Sequence, residues 1–592
     1  TTVLRSIAYL EGWESSTVDT HTYLVLDDVL TQSPAGQVPG PGWPTPDADG
    51  RVNGQRIDYG MDPDIVNHAD PQVGGPAQVR AALAALPSVS IVTDATNLFD
   101  SASGIFVNPY NRGLAWECPC SIELLNDPEG GFQVNAGLRI RGGYSRSQDN
   151  PKHAWRFFFR GEYGAAKLDY PLFGDEGASS FNQVDLRTAQ NYSWSFGGDS
   201  RNTFLREEFS RQAFVEMGGP GSHVKYVHVY VNGHYWGLFD FDERTEADHC
   251  SEYLGGDKLN WDVVKAEQES GYSTGATDGN LDAWTNLFAR VNPLVAPGTY
   301  TRRALTEVEY YDLQGLAPDG VSTNTSPVLL DVDALIDYML LTFWTGNTDG
   351  ATSAFLGDDR ANNWFGARDR TSRRGFVFFP HDFEHSLFDV FGDRTGPFNR
   401  VFGDESSYGE KRLYYNPMFL HADLMDVPAY RERWRERVQR HLFNGGMLDL
   451  AANRARIQRL AAVVDSAIIA ESARWGDMYS DPPLTRAHWA AERDYILDQF
   501  LPARTAQVIA QLRADDLYPD LDGVLVQPPG GFVRSTEPLN LTGPEAGVIA
   551  WYYTTDGSDP RLPDGTPAPT AQIFSPAGTV TNTLVTSGDA AP

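Results

Sequence analysis

The chain contains very little cysteine. Only three of its 592 residues are cysteines: Cys118, Cys120 and Cys250. Cys118 and Cys120 are too close in sequence for an easy mutual bridge, given normal disulfide geometry. Either one of them pairs with Cys250 or all three stay reduced. No histidine stands at metal-ligand spacing near Cys118, which argues against a zinc site.

Long apolar runs and an excess of positive charge are missing as well. No run approaches the roughly eighteen apolar residues of a transmembrane helix. Residues 1–4 lack the start of a signal peptide, and residues 586–589 read as a cut inside a domain, so we expect a processed or excised chain. The 47 basic and 79 acidic residues give a formal net charge of -32, which opposes attraction to nucleic acid and to anionic lipid surfaces.

The length exceeds what one hydrophobic core usually supports, and the 41% hydrophobic content is ample for several. Residues 1–87 are rich in Gly, Pro, Asp and Asn and predict an irregular segment, possibly part of a β module, that lies against the next domain. Residues 88–518 carry the strand and helix patterns of the main domain. From residue 519 to 592 the helical signals cease, which predicts a truncated β module.

Strand patterns come first in the main domain. Apolar residues alternate with period two in residues 133–141, 155–159 and 226–231. Asn232-Gly233 between two such runs predicts a type I′ hairpin, because this dipeptide favours positive φ at both central residues. Helical patterns dominate later, and the predicted helices are residues 79–86, 203–217, 331–347, 430–443, 451–475 and 486–512. A mixed or antiparallel sheet lobe followed by a helical lobe is an α+β, kinase-like bilobal arrangement.

The acids of chemical interest lie where the two lobes would meet. Asp349, Asn363, Asp382 and Glu384 flank the apolar run 376–379. Carboxylates beside apolar strands are costly to desolvate, and a divalent metal with a phosphate is one way to offset that cost. Kinase-type phosphoryl transfer needs an Asp to orient the attacking hydroxyl, and an Asn and a second acid to hold Mg²⁺. The alternative is a solvated loop followed by an ordinary hairpin.

Five segments in one order carry a more specific signal. They resemble the CotH family of atypical, secreted or spore-coat-associated protein kinases, and the resemblance covers about residues 91–518. The segments are RIRGGYSRSQDNPKHAWRFFFR (139–160), RNTFLREEFSRQAFVEMG (201–218), VHVYVNGHYWGLFDFDER (227–244), WDVVKAE (261–267) and the acidic stretch above.

The resemblance implies a nucleotide site for ATP in the first half of the domain. Lys152, at the start of a strand-like run, has the place of the strand lysine that grips the α- and β-phosphates. Glu207 or Glu208 on the predicted helix would hold that lysine by an ion pair. Glu243 follows the second hairpin strand, where a linker between lobes would meet the nucleotide base. The plainer interpretations are that Lys152 is an exposed lysine at a strand edge and that Glu243 is an acid at a strand end.

In the second half the resemblance implies the catalytic and metal residues. Asp349 is the candidate base or hydroxyl-orienting group, and Asn363 and Asp382 are the candidate ligands of Mg²⁺ or Mn²⁺, with Glu384 as a further ligand. The sequence departs from the family pattern at two positions. His381 stands where a Trp usually precedes the Asp, and Glu384 where a second Asp is common, which puts turnover in doubt more than fold.

The string YYTTDGSDPR (552–561) resembles the C-terminal β-sandwich module of chitobiases and hexosaminidases, which implies an immunoglobulin-like accessory module. Asp556, Asp559 and Asp564 are candidate ligands of a structural Ca²⁺, although turn residues explain them as well. Residues 47–53 faintly resemble a calcium loop, but a plain turn fits them better because carboxylates are missing at required positions.

The resemblance implies an exported, extracellular or cell-surface bacterial protein that phosphorylates hydroxyls of surface or coat proteins. The alternative is a catalytically inactive structural or adhesive surface protein built on a kinase-like core, capable of self-assembly or attachment to a larger surface structure. A third class, polysaccharide hydrolysis, lacks an acid pair at readable spacing. Nothing points to a nucleic-acid partner or a transmembrane segment.

Overall fold

The computed structural model describes residues 1–296, 298–396, 402–534, 538–543, 550–562, 565–574 and 582–585, and it is an α+β structure. Its strands are β1 Thr2–Ser6, β2 Asp19–Tyr23, β3 Arg51–Val52, β4 Gln55–Arg56, β5 Ser88–Val92, β6 Cys118–Leu125, β7 Phe132–Ile140, β8 Trp155–Phe158, β9 Leu168–Asp169, β10 Ser180–Phe181, β11 Gln183–Arg187, β12 Val224–Val231, β13 His234–Asp242, β14 Trp261–Glu267, β15 Ser273–Asp278, β16 Phe365–Asp369, β17 Val377–Phe379, β18 Leu525–Gln527, β19 Pro538–Thr542, β20 Trp551–Tyr553, β21 Gln572–Phe574 and β22 Asn582–Val585.

The α-helices are α1 Leu26–Leu30, α2 Pro63–Val66, α3 Pro76–Leu83, α4 Ala95–Phe99, α5 Arg206–Glu216, α6 Ala247–Leu254, α7 Asp282–Val291, α8 Glu307–Leu313, α9 Val332–Thr345, α10 Glu405–Leu413, α11 Pro417–Leu424, α12 Pro428–Leu442, α13 Leu450–Val464, α14 Ile468–Trp475, α15 Arg486–Tyr495 and α16 Leu501–Ala514.

Seven strands close into a barrel in the order β11-β13-β12-β5-β6-β7-β8. All neighbouring pairs are antiparallel except β5 with β12, which is parallel. The alternating apolar residues fill the interior, as the period-two pattern predicts: Ile122, Leu138, Phe157, Val184 and Leu238 are fully buried. The predicted type I′ hairpin is confirmed, since Asn232 and Gly233 have φ of 48° and 80° between β12 and β13.

A second sheet, β15-β14-β16-β17, lies under the barrel and packs on α9. The predicted apolar helix 331–347 is confirmed as α9, and nearly every side chain in it is buried. Asp331 caps it by accepting the N–H of Ala334 at 3.1 Å, and Gly346 ends it in the left-handed conformation with φ of 66°. This sharp stop places the following loop at the edge of the second sheet.

One predicted helix is interrupted, and a second is helical throughout but contains a wider turn. Residues 451–475 form α13 and α14, separated by residues 465–467, because α14 turns away to pack on β13 and α3. Residues 486–512 form α15 and α16 with a wide turn at Ile496–Phe500 between them. Pro502 explains that turn, since proline lacks the N–H that a regular helix would donate.

The N-terminal segment lies against the barrel and α14, as expected from the sequence. Gln32 Nε2 donates to Tyr235 O at 3.1 Å, and Arg474 pairs with Asp58 at 2.9 Å. Asp47 accepts two backbone N–H groups at 2.9 Å as a turn residue does. The predicted helix at 79–86 begins earlier, as α3, because Gly75-Pro76 supplies a helix start.

Beyond residue 518 the described residues form two small sheets, β18-β19-β22 and β20-β21. Asp556 and Asp559 each accept a backbone N–H two residues further on, at 2.9 Å. Asp564, residues 547–549 and residues 586–589 lie outside the described residues. Cys118, Cys120 and Cys250 are buried and unbridged. In the described part of the chain, no helix is long and apolar enough to cross a membrane.

Candidate active site

A cavity of about 520 Å³ opens between the barrel and the second sheet. Its walls are the β7–β8 connection, strands β11 and β13, the start of α5, and the loops after α9 and β17. Charged side chains dominate this cleft. It brings together seven of the eight predicted site residues: Glu207, Glu208, Glu243, Asp349, Asn363, Asp382 and Glu384.

Asp349 stands in the loop that follows α9 and is 6% exposed. Its backbone N–H donates to Asn347 Oδ1 at 3.0 Å. Its carboxylate accepts hydrogen bonds from Ser353 Oγ, from Asn362 Nδ2 at 2.9 Å and from Asn363 Nδ2 at 3.0 Å. Burial, together with the charge of Asp382, raises the pKa of Asp349 to about 7. The loop thus fixes a carboxyl group whose pKa suits proton transfer at neutral pH.

Asp382 follows β17 in the left-handed conformation, with φ of 56° and ψ of 44°. Aspartate tolerates this region better than most residues, and such backbone often marks functional positions. Its Oδ1 pairs with Arg187 Nη2 at 2.5 Å, and its N–H donates to Glu207 Oε1 at 3.0 Å. Asp382 is therefore tied to both the barrel and α5.

Arg187 is the centre of the cleft network. Its Nη1 contacts Glu207 Oε1 at 2.6 Å and Asp242 Oδ2 at 3.0 Å, besides the Asp382 contact through Nη2. Arg211 contacts the same Glu207 and pairs with Asp242 Oδ1 at 2.5 Å. Although burial alone would raise the pKa of Glu207, the two arginines lower it well below its ordinary value. Glu207 is a buried carboxylate held ionised by its partners.

Lys152 corrects one of the sequence predictions. It is not among the described residues that line the cleft, and its predicted ion pair with Glu207 or Glu208 does not form. Lys152 Nζ instead pairs with Glu471 of α14 at 2.6 Å and donates to Leu238 O at 2.9 Å, with both side chains fully buried. Strand β8 begins only at Trp155, so Lys152 lies three residues before the strand, where α14 contacts the barrel.

Glu208 and Glu243 line the cleft in different ways. Glu208 forms no ion pair among the described residues: its Oε1 accepts from Gln212 Nε2 at 2.7 Å, and burial raises its pKa to about 8. Glu243 follows β13 as predicted, but its carboxylate is occupied by His223 Nδ1 at 2.7 Å and by the Tyr253 hydroxyl. A ligand at this segment would therefore contact the residues next to Glu243 rather than its carboxylate.

Glu384 lies beside the metal-ligand candidates but is held by the barrel side. Its Oε1 accepts from Asn191 Nδ2 at 2.6 Å, and its Oε2 faces the N–H of Asn191 at 3.3 Å. Burial and the charges of Asp382 and Glu207 raise its pKa to about 8. The expected rise in pKa among crowded carboxylates is thus found at both Asp349 and Glu384.

The cleft fits a divalent cation only if a ligand helps to hold it. In the described residues, three or more His, Cys, Asp or Glu side chains do not converge as a metal site. Asp382 Oδ2 and Asn363 Oδ1 accept no hydrogen bond from the described residues, while both Glu384 oxygens are engaged. Mg²⁺ is commonly held by one or two protein oxygens plus phosphates and water, so Asp382 and Asn363 suit it when a phosphate is present.

Arg187 and Asp242 are the site residues that sequence reasoning missed. Arg187 ends β11, the last strand before α5, which is the place where a kinase-like order puts the cation that pairs with the helix glutamate. The signal was available in that order. In the sequence alone Lys152, which also lies close to a strand, fits the same role.

The order of these parts defines a kinase-like cleft: a strand cation, a helix glutamate, an Asp after a buried helix, then an Asn and a second Asp. The comparison with known families agrees with this. The family model described as CotH kinase protein matches residues 138–507, which is more than half of the chain. The chain belongs to the CotH kinase family. A search of curated proteins found no match.

Proposed function

We propose that this chain is an exported protein kinase that transfers the terminal phosphate of ATP to hydroxyl groups of surface or coat proteins. The observation that carries the proposal is Arg187, which joins Glu207 of α5 to Asp382 after β17. Active protein kinases need a strand cation paired with a helix glutamate, together with a metal-binding Asp in place.

Asp349 is proposed to orient the acceptor hydroxyl and to take its proton. The hydroxyl oxygen then forms a bond to the terminal phosphorus while the bond from that phosphorus to the bridging oxygen breaks, and ADP leaves with the electron pair. Asn362, Asn363 and Ser353 hold the carboxylate of Asp349 in place, so little reorganisation is needed when the acceptor arrives.

Asp382 and Asn363 are the proposed ligands of Mg²⁺ or Mn²⁺, with Glu384 supporting them from the barrel side. Bound there, the cation neutralises charge on the transferred phosphate. Arg187 takes the phosphate-gripping role that the sequence assigns to Lys152, because it reaches the cleft and Lys152 does not. Glu243 belongs to the segment proposed to border the nucleotide base.

The wider organisation is also part of the proposal. Residues 88–518 would form one bilobal unit, with residues 1–87 packed on it and residues 519–592 forming an immunoglobulin-like accessory module. The net charge of -32 favours a soluble surface protein over a protein that binds nucleic acid. Structural Ca²⁺ at Asp556 and Asp559, and assembly into a larger surface structure, remain expectations from the resemblance.

The decisive experiment measures phosphate transfer from ATP with Mg²⁺ or Mn²⁺ to the chain itself and to Ser-rich and Thr-rich acceptors. Asp382→Ala should abolish transfer, because it removes a proposed metal ligand. Asp349→Asn should keep ATP binding but slow transfer by roughly a hundredfold or more, since the carboxylate acts mainly in the transition state.

Asp494→Ala is the matched control, because Asp494 pairs with Arg493 away from the cleft. This variant should transfer phosphate at the wild-type rate. If the wild-type chain transfers no phosphate and binds no ATP with either metal, the kinase proposal fails. An inactive structural or adhesive surface protein with a kinase-like core would then take its place.

A further inference from the structure

One wall of the cleft carries four cations that the kinase roles above leave unused. They are Arg141 at the end of β7, Arg156 on β8, Arg244 after β13 and Lys265 on β14, and we call them the cationic subsite. They come from four separate parts of the chain. Their convergence is notable in a protein with 79 acidic and 47 basic residues.

The arginines of this subsite carry more N–H donors than the neighbouring carboxylates accept. Asp185 of β11, 2% exposed, pairs with Arg156 Nε at 2.5 Å and with Arg141 Nε at 2.9 Å. Arg244 Nε pairs with Glu246 at 2.7 Å. One buried carboxylate thus positions two guanidinium groups, and within the described residues the Nη atoms of Arg141 have no hydrogen-bond acceptor.

Lys265 has no carboxylate partner at all among the described residues. Its Nζ lies 5.8 Å from the ring centroid of Phe365 on the neighbouring strand β16. Burial and the nearby charges of Arg244, Arg141 and Arg156 lower its pKa to about 8, against a smaller opposing effect of Glu267 on its own strand. A bound anion would stabilise the protonated form of an amine in such surroundings.

The connection after Arg141 brings backbone close to the opposite wall. A Cβ on Gly142 would lie 1.9 Å from Ser145 Oγ, and a Cβ on Gly143 would lie 2.6 Å from Gln268 Oε1. Gly142 also has φ of 103°, a conformation that glycine adopts far more readily than other residues. Phe365 also joins the subsite to the catalytic side, since it begins β16 two residues after Asn363. The cations therefore share one cleft with the proposed metal ligands.

We propose that Arg141, Arg156, Arg244 and Lys265 form a binding subsite for a phosphate group of a ligand, in the same cleft as the proposed metal ligands. Clustered arginine and lysine donors that outnumber their carboxylate partners are an arrangement suited to phosphate. A role in catalysis rests on the proposed function, but phosphate binding itself needs neither metal nor turnover.

The experiment measures the binding of sodium pyrophosphate by calorimetry, in EDTA and at constant ionic strength. Lys265→Met should weaken binding roughly tenfold, because a hydrogen bond to a charged group is lost. Lys258→Met is the matched control: Lys258 pairs with Asp248 outside the cleft and is 49% exposed. It should bind like the wild type.

A second arm uses pH and keeps the charge in place. Between pH 7 and 9.5 the wild type should lose affinity relative to Lys265→Arg, because the lysine deprotonates in that range and the arginine does not. The protonation of free pyrophosphate changes equally in both experiments. The ratio of the wild-type affinity to the Lys265→Arg affinity therefore reports the protonation of Lys265. Absence of pyrophosphate binding by the wild type, or equal affinity of wild type and Lys265→Met, would overturn the proposal.

Competition identifies the source of the phosphate group. If ATP with Mg²⁺ displaces pyrophosphate, the subsite serves the phosphate donor. If both bind together, the subsite serves a phosphorylated acceptor. Either result is compatible with the phosphate subsite and decides what it is for.

Discussion

Arg187 contacts three carboxylates at once, and this depends on the shape of its side chain. The planar guanidinium presents several N–H donors in fixed directions, whereas a lysine offers one compact ammonium group. Glu207, Asp242 and Asp382 approach it from α5, β13 and the loop after β17. A single residue thus couples three elements of the cleft.

Replacing Arg187 by lysine should therefore impair the cleft although the charge is kept. We expect Arg187→Lys to lower kcat/KM for phosphate transfer at least tenfold, because a lysine cannot satisfy three carboxylates. Arg303→Lys is the control, since Arg303 contacts Glu309 on the exposed surface. Equal kcat/KM values for Arg187→Lys and the wild type would contradict a coupling role.

Glu208 offers a test by pH. Its folded pKa of about 8 lies above the ordinary 4.5, so above pH 4.5 ionisation favours the unfolded chain and the stability cost grows until about pH 8. Glu208→Gln removes this cost. Its free energy of unfolding relative to wild type should rise between pH 5 and pH 8, by on the order of 3 kcal/mol.

Urea unfolding at the two pH values measures this difference. Glu307→Gln on the exposed surface of α8 should show no such trend. If the Glu208→Gln and wild-type stabilities change in parallel from pH 5 to pH 8, the carboxyl group is not held protonated in the fold.

At the level of single residues, the sequence allowed Asp349, Asn363 and Asp382 to be proposed together, because two acids and an amide lie close together in the chain beside apolar segments. The cation could not be placed in the same way. Lys152 and Arg187 both lie near strand ends, and only the closure of the barrel decides which side chain points into the cleft. Long-range packing of this kind leaves no local signature in the sequence.

At the level of elements, the buried pair of Lys152 and Glu471 connects the chain before β8 to helix α14. Glu471 Oε2 also accepts the N–H of Leu238 at 2.8 Å, and Trp475 Nε1 donates to Trp236 O at 2.8 Å. Helix α14 is thereby fixed on the barrel by polar contacts in an otherwise apolar interface. Breaking the pair leaves an uncompensated buried charge.

We expect Lys152→Met or Glu471→Gln alone to lower the free energy of unfolding by about 3–5 kcal/mol. The double variant should lose clearly less than the sum of the two single variants, because no buried charge is left alone. Urea unfolding measures all three. The exposed pair Lys258 and Asp248 gives the comparison cycle, where coupling should stay below about 1 kcal/mol. Additive losses at Lys152 and Glu471 would contradict the interpretation.

Elements with a strong local pattern were predictable, and the breaks between them were not. The apolar helix α9 and the Asn232-Gly233 hairpin each carry their own stop or turn signal. Helices α13 and α14 were predicted as one, because helical spacing continues through residues 465–467 and only packing on β13 separates them. The second sheet pairs β14 with β16 across about a hundred residues, which no local pattern reveals.

At the level of the whole molecule, the described ion pairs of the segment beyond residue 518 are more exposed than those of the N-terminal segment at Arg474. Arg561 contacts Glu432 and Glu436 of α12, with all three side chains about 40% exposed. Asn444 adds two hydrogen bonds, accepting the N–H of Val526 at 3.0 Å and donating to Val524 O at 3.4 Å. Exposed ion pairs contribute at most about 1 kcal/mol each. By contrast, the N-terminal segment reaches the fully buried Arg474.

Limited proteolysis should therefore release the region after about residue 520 first and leave residues 1–518 as one resistant body. Arg561→Ala should speed this release without lowering the unfolding temperature of that body, because its partners lie on the outer surface of α12. Arg303→Ala, which removes an exposed ion pair elsewhere, should not change the release rate. Mass spectrometry of the fragments over time measures both effects. Early cleavage near residue 275 into two stable halves would contradict the single unit. The barrel and the second sheet would then fold and persist apart. A cleft formed by both could not be a permanent feature of the protein.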